Sequence, residues 1–180
     1  MADGTRAPGA TASEDADIAP IDTPPHDRAR HDEDEYGWLL RQAGLLRAGR
    51  LDEVDAQPLA EFLTDMAKSD IRALRSTMRV LLLHLLKVLI QPDRLTGSWV
   101  STIIEQQEQA AEMIADSPGM TPMLPKLFDH AYKVARRQAA AETGLPLPQF
   151  PPDNPWTLDD ALAFVPPEPP PRGRRAARPG

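Results

Sequence analysis

The feature that most constrains the fold is the stretch from Ser69 to Ile90, SDIRALRSTMRVLLLHLLKVLI, in which apolar residues run with few interruptions. At about 100° per residue, its first half has one apolar side and one basic side. Its second half is apolar almost all round, as in a helix that neighbours cover on several sides. We therefore expect the core helix of a helical domain. Because His84 and Lys87 interrupt the run and Pro92 follows it, we do not expect it to span a membrane, which takes about 20 apolar residues.

The composition narrows the class of protein. A chain of 180 residues fits one domain of about 100–150 residues with tails. It contains no cysteine, which excludes disulfides, thiolate zinc sites and cysteine nucleophiles, and its start has no secretory pattern, so we expect a cytoplasmic protein. Of the net charge of −7, residues 1–35 carry −7 and residues 166–180 carry +3. The part between them is therefore mildly acidic, which argues against a nucleic-acid surface.

The predicted fold is all-α: a single compact bundle of about five main helices plus a short C-terminal helix, between disordered tails. Residues 1–33 form an acidic arm with almost nothing to bury, so they cannot offset the entropy of ordering. Residues 34–164 form the helical domain, and residues 165–180 form a Pro/Arg-rich tail.

Caps and breakers predict the helices of the first half. The first helix begins at the acids around Asp34 and ends at Gly49, and the second begins at the capping carboxylates of residues 52–55 and runs to about Lys68. Residues 69–70 either cap the core helix or lie within one bent, continuous helix, and both alternatives remain open. The apolar stripe predicted on the second helix consists of Leu59, Phe62, Leu63 and Met66.

Proline punctuates the second half. The fourth helix begins at the N-cap Ser98, and the fifth ends at Gly144. The proline-rich segment that follows is expected to wrap the bundle, before Thr157 caps a last helix over residues 158–164. The apolar anchors expected in that segment are Leu145, Leu147, Phe150 and Trp156.

Several motifs, in this order and spacing, resemble one protein family. They are YGWLLRQAGLLRAGRLDEVD, SDIRALRSTMRVLLLHLLKVLIQPDRLTGSW, STIIEQQ, SPGM, YKVARRQAAAETGLPL and FPPDNPW. Over roughly residues 34–164, the chain resembles the bacterial domain-of-unknown-function family numbered twenty-nine, DUF29. The resemblance implies a small all-helical bacterial protein whose biochemical role is not established, so it carries over no catalytic residue.

The chain departs from this family pattern at one set of positions. Where the family tends to have Arg on the fourth helix, this chain has Gln107 amid the apolar face, and where it tends to have acids on the second helix, this chain has Phe62 and Thr64. A buried Arg would need a charged partner. We therefore expect that Gln107 faces the second helix and that the exchanged pair is structural.

The polar residues of the core helix are His84, Lys87 and Gln91, which form one ridge at i, i+3 and i+7. In a catalytic reading, His84 is a general base and Lys87 a cation in a pocket, since histidine titrates near neutrality. In a structural reading, the histidine bonds a carbonyl and the lysine extends its amine to solvent. A lone histidine seldom marks chemistry without partners, so we expect the structural reading. A carboxylate within hydrogen-bond reach of His84 would favour the catalytic one.

Other polar residues point to surfaces rather than to chemistry. The candidates for binding a partner are Arg72, Arg75, Arg79, Gln91 and Trp99. Glu105, Glu108, Glu112 and Asp116 lie opposite the apolar face of the fourth helix, which predicts a solvated stripe rather than a metal site. We predict no metal and no cofactor.

These patterns favour a non-enzymatic protein-interaction or regulatory module with an unknown protein partner, and association between copies of the chain is a further option. The alternative is a small hydrolase or nuclease that uses His84 and Lys87 with a carboxylate from another helix. No serine motif or phosphate loop accompanies these residues, so we lean towards a protein that is not an enzyme.

Overall fold

The computed structural model describes residues 34–169, and all regular structure in this range is helical, which confirms the all-α class. The acidic arm 1–33 and the arginines of the tail lie outside the described residues. Contacts divide the chain into two units, one up to Glu61 and one from Phe62. The α-helices are α1 (Glu35–Arg47), α2 (Ala56–Ile90), α3 (Gly97–Asp116), α4 (Leu124–Thr143) and α5 (Leu158–Leu162), joined by short 3₁₀ segments.

In the first unit, α1 begins at the predicted carboxylate cap. Asp34 Oδ1 accepts a hydrogen bond from the Gly37 amide at 2.9 Å. A Cβ at position 37 would clash with the other oxygen of Asp34, so glycine lets the cap close. After α1 ends at Arg47, Gly49 takes a φ of 70°, which confirms the predicted stop.

The second and third predicted helices form one continuous helix, α2, of 35 residues. At about 1.5 Å per residue its length is about 52 Å. Pro58 lies in its first turn, where a proline removes no helical hydrogen bond, and residues 69–70 are exposed helical residues rather than a cap. Among the described helices, none combines the length and the apolar character that crossing a membrane requires.

The core of the second unit surrounds the second half of α2, as the sequence predicts. Six residues of this half of α2 are 0% exposed, namely Leu74, Met78, Leu81, Leu82, Leu85 and Leu86. Against them pack Ile103 and Ala110 of α3 and Phe128, Ala131, Tyr132 and Ala135 of α4. Each large side chain buried in this way stabilises the fold by about 1.5–3 kcal/mol.

The start of α3 differs from the prediction by two residues. The N-cap is Thr96, whose backbone is extended and whose hydroxyl accepts a hydrogen bond from the Trp99 amide. Ser98 lies inside the helix, and its hydroxyl is 2.9 Å from that of Thr96. The predicted cap at Ser98 is therefore wrong, because the chain is already helical at Gly97.

Two side chains of α4 hold the proline-rich segment. The Tyr132 hydroxyl donates to the carbonyl of Pro151 at 2.7 Å. The Arg136 guanidinium donates to the carbonyls of Phe150 and Leu147. Phe150 is 0% exposed, so this anchor is as predicted, but Leu147 is 36% exposed and is not an anchor. At Leu147 the segment is held by its backbone carbonyl instead.

The last helix, α5, is fixed at both ends. Thr157 and Asp160 form a capping box at its start, and the helix ends at Leu162, two residues before the predicted end. The Gln107 side-chain amide donates to the carbonyls of Ala161 at 2.9 Å and Phe164 at 2.8 Å. An amide nitrogen carries two donors, so both bind the end of α5. These hydrogen bonds give no support to the expected pairing of Gln107 with the first half of α2.

Candidate functional site

The predicted ridge on α2 meets two other helices at Lys87. The Lys87 Nζ donates to Glu142 Oε2 of α4 at 2.9 Å and lies 4.4 Å from the centroid of the Trp99 ring of α3. The Lys87 side chain is 12% exposed and that of Glu142 is 48% exposed. A carboxylate and an aromatic face both attract a cation. Lys87 therefore does not extend its amine to solvent, as the structural reading expected, but joins three helices.

His84 lies one turn before Lys87 and is half-buried. Its Nδ1 is 2.9 Å from the carbonyl of Val80. Because a carbonyl only accepts, Nδ1 carries the proton, and Nε2 is the basic nitrogen of the neutral ring. Burial lowers the pKa of His84, and the charge of Lys87 adds to this effect, whereas the hydrogen bond to Val80 and the charge of Glu142 oppose it. The ring is therefore held in its neutral form more strongly than in water.

The chemistry of this cluster is that of a packed ion pair. Glu142 is the carboxylate from another helix that the catalytic reading requires, but its hydrogen bond goes to Lys87. The hydrogen bond of His84 goes to the backbone of its own helix, as the structural reading predicts. Within residues 34–169, no group of three or more His, Cys, Asp or Glu side chains is arranged to hold a metal ion.

The predicted partner-binding residues differ in their exposure and in their contacts. Arg79 donates to the side chains of Gln138 on α4 and of Ser76, and the Trp99 ring is covered on one face by Lys87. Gln91 is half-buried where α2 ends, and its carbonyl accepts from the Arg94 amide. Arg75 is half-buried, and Arg72 is the one exposed member of the set.

The first half of α2 carries an apolar stripe in which two of the four residues are exposed. Leu59, Phe62, Leu63 and Met66 fall at i, i+3, i+4 and i+7 and so share one side of the helix. Leu63 is 57% exposed and Met66 is 51% exposed. The predicted stripe is therefore half exposed at these two residues. We call the four residues the α2 open stripe.

The open stripe continues a face that is buried further along the helix. Leu74 and Leu81 lie on the same side of α2 and are 0% exposed. Since α3 and α4 have 20 residues each and α2 has 35, neither neighbour can cover the full length of α2. The sequence shows the stripe but not this difference in coverage.

Sequence reasoning missed a polar cluster in the first unit. Asp55 Oδ2 accepts hydrogen bonds from Trp38 Nε1 and Gln42 Nε2, both at 2.9 Å, and lies 3.6 Å from Arg41. The Gln42 side-chain oxygen in turn accepts from the Asp55 amide. Trp38 and Gln42 are both 1% exposed. The predicted capping carboxylate thus binds α1. The signal in the sequence was the pair Trp38 and Gln42, an indole and an amide at i and i+4, because both need a polar partner once they are buried.

A family model described as a domain of unknown function, DUF29, matches residues 31–165, which is most of the chain. The chain belongs to the DUF29 family. The resemblance inferred over residues 34–164 is therefore confirmed, and the matched DUF29 region contains both the cluster at Lys87 and the α2 open stripe. No curated protein and no solved structure matches the chain.

Proposed function

We propose that this DUF29 protein is a non-enzymatic protein-interaction or regulatory module of the bacterial cytoplasm that binds a protein partner through the α2 open stripe. The exposure of Leu63 and Met66 carries the proposal. Single exposed apolar residues are common on soluble proteins, whereas neighbouring ones that extend a core face are typical of binding surfaces.

The spacing of the stripe indicates the chemistry of the partner. Anchors at i, i+3, i+4 and i+7 are the pattern with which an amphipathic helix enters an apolar groove. Glu61, Asp65 and Lys68 lie on the opposite side of the same turns, where they stay in contact with water. We therefore expect the partner to present an apolar groove.

The cluster at Lys87 is consistent with this proposal. Its lysine and carboxylate bind each other, and the histidine binds a backbone carbonyl, so each polar group has a structural partner. In the competing hydrolase or nuclease, the hydrogen bond between Glu142 and Lys87 would have to break before Glu142 could orient His84.

The proposal is tested by affinity purification from the native host, read by mass spectrometry. Leu63→Glu with Met66→Glu places two charges in the stripe, and we expect it to lose the captured partner. The matched control is Leu89→Glu with Met123→Glu, which changes two apolar residues that are 48% and 38% exposed outside the stripe. The control should retain the partner. The captured protein is then purified and titrated with all three chains.

Removal of two half-exposed anchors should weaken binding in that titration by at least about 30-fold, since each such contact contributes about 1 kcal/mol or more. Equal binding by the stripe variant and the control would refute the assignment of the surface. Turnover of a substrate that is lost in His84→Leu would refute the non-enzymatic role.

A further inference from the structure

Two helices of the second unit carry outward stripes of opposite charge. The acidic stripe on α3 consists of Glu105, Glu108, Glu112 and Asp116, all exposed. The basic stripe on α4 consists of Lys126, His130, Lys133 and Arg137, all exposed. Each set lies within an arc of about 80° on its helix.

The two stripes match in length and spacing. Counted from the first member, the acids stand at 0, 3, 7 and 11 residues and the basic residues at 0, 4, 7 and 11. At 1.5 Å per residue each stripe is about 16.5 Å long, and each acid lies within about 1.5 Å, along the axis, of a basic position. One stripe laid along the other would bring three of the acids to a lysine or arginine side chain and Glu108 to His130.

Its own helix offers the acidic stripe no favourable charge, and offers the basic stripe only one pair. α3 contains no lysine or arginine, so its acids have like charges as their i+3 and i+4 neighbours. Asp116 ends α3 and Lys126 lies in the first turn of α4, where the helix dipole disfavours each of them. In the part of the chain that the structure describes, the four acids form no ion pair, and Lys133 pairs with Asp129 of its own helix, where both are mostly exposed.

We propose that the acidic stripe of one copy docks on the basic stripe of a second copy of this chain. The contact uses a surface other than the α2 open stripe, so it extends the proposed function and does not depend on it. Exposed ion pairs are individually weak and screened by salt, so the association is reversible and sensitive to ionic strength. Because different surfaces meet, copies form a ring or a chain unless two such contacts close a dimer.

Sedimentation of the full chain at about 200 μM tests the proposal. We expect a weight-average mass above 19.8 kDa in 50 mM NaCl and a mass of 19.8 kDa in 500 mM NaCl. Glu108→Lys with Glu112→Lys, and Lys133→Glu with Arg137→Glu, should each be monomeric in 50 mM NaCl, with the dissociation constant raised at least about tenfold. A mixture of the two variants should associate again, because each then carries what the other lacks.

The control for Lys133→Glu with Arg137→Glu is Arg47→Glu with Arg94→Glu, which makes the same change of net charge at exposed positions outside the stripes. It should associate like the original chain, and circular dichroism should show that all variants are folded. A chain that is monomeric in 50 mM NaCl, or a mixture of variants that does not associate, would overturn the proposal.

The arginines of the C-terminal tail are the other cations that could cover the acidic stripe. Deletion of residues 170–180 distinguishes the two possible occupants of the acidic stripe, which are the tail and a second copy of the chain. If the shortened chain associates as the full chain does, the second copy is the occupant. Association that appears only after this deletion would show that the tail covers the stripe, and would overturn the proposal.

Discussion

Replacing Asp55 by alanine should lower the stability of the first unit, because three side chains of α1 converge on one oxygen of this carboxylate. Trp38 and Gln42 donate to it at 2.9 Å, and both donors are 1% exposed. Alanine removes the acceptor that these two buried donors share.

The magnitude follows from these two hydrogen bonds. A hydrogen bond to a charged group contributes about 1.5–3 kcal/mol, and the carboxylate is 44% exposed, so water can replace part of it. We therefore expect Asp55→Ala to lower the free energy of unfolding of this unit by about 2–4 kcal/mol. Asp55→Asn keeps one acceptor oxygen and loses the charge, so it should cost about 1 kcal/mol.

Hydrogen exchange of the backbone amides of α1 measures this unit directly, and urea unfolding measures the whole chain. Asp52→Ala is the control, since Asp52 is an exposed carboxylate three residues away, and it should stay within about 0.5 kcal/mol of the original chain. Protection of α1 that is equal in Asp55→Ala and Asp52→Ala would refute the reasoning.

Two further predictions concern the second unit. Burial lowers the pKa of His84, so below about pH 6.5 the unfolded chain binds more protons than the folded one, and stability falls as the pH drops from there towards the lower folded pKa. Urea unfolding at pH 7.5 and 5 should show this loss, His84→Leu should reduce it, and an unchanged pH dependence in that variant would contradict the assignment. Ending the chain at Gly144 removes Phe150, which is 0% exposed, and leaves Tyr132 and Arg136 without their carbonyls, so it should cost several kcal/mol, about that of a large buried side chain. An unchanged melting temperature would show that the proline-rich segment does not pack.

The helices could be predicted because their signals are local. The acids at Asp34, the left-handed stop at Gly144, where φ is 72°, and the capping box at Thr157 each act within one turn. The burial of the second half of α2 could also be predicted, since a helix surrounded by neighbours needs apolar residues on every side. The cap of α3 shows the limit of such reasoning, because Thr96 and Ser98 offer the same hydroxyl chemistry.

The candidate sites could be predicted only in part, because they depend on which helices lie side by side. The i, i+3 spacing of His84 and Lys87 places them on one ridge, but the carboxylate that pairs with Lys87 is 55 residues away, on α4. In the same way, the pattern of Leu63 and Met66 shows an apolar face without showing that nothing in the described chain covers it fully. The spacing of residues within one helix does not indicate which side chains of other helices they will contact.

The hydrogen bonds of Gln107 determine where a minimal folded fragment of this protein can end. A helix of five residues is too short to be stable alone, so α5 depends on its contacts with α3. One of its two tethers is the carbonyl of Phe164, which lies beyond the last helical residue. A fragment cut at the end of the helix, after Leu162, would therefore lose an anchor that secondary structure does not reveal, and a tag joined directly there would compete with it. The usable boundary lies after Phe164.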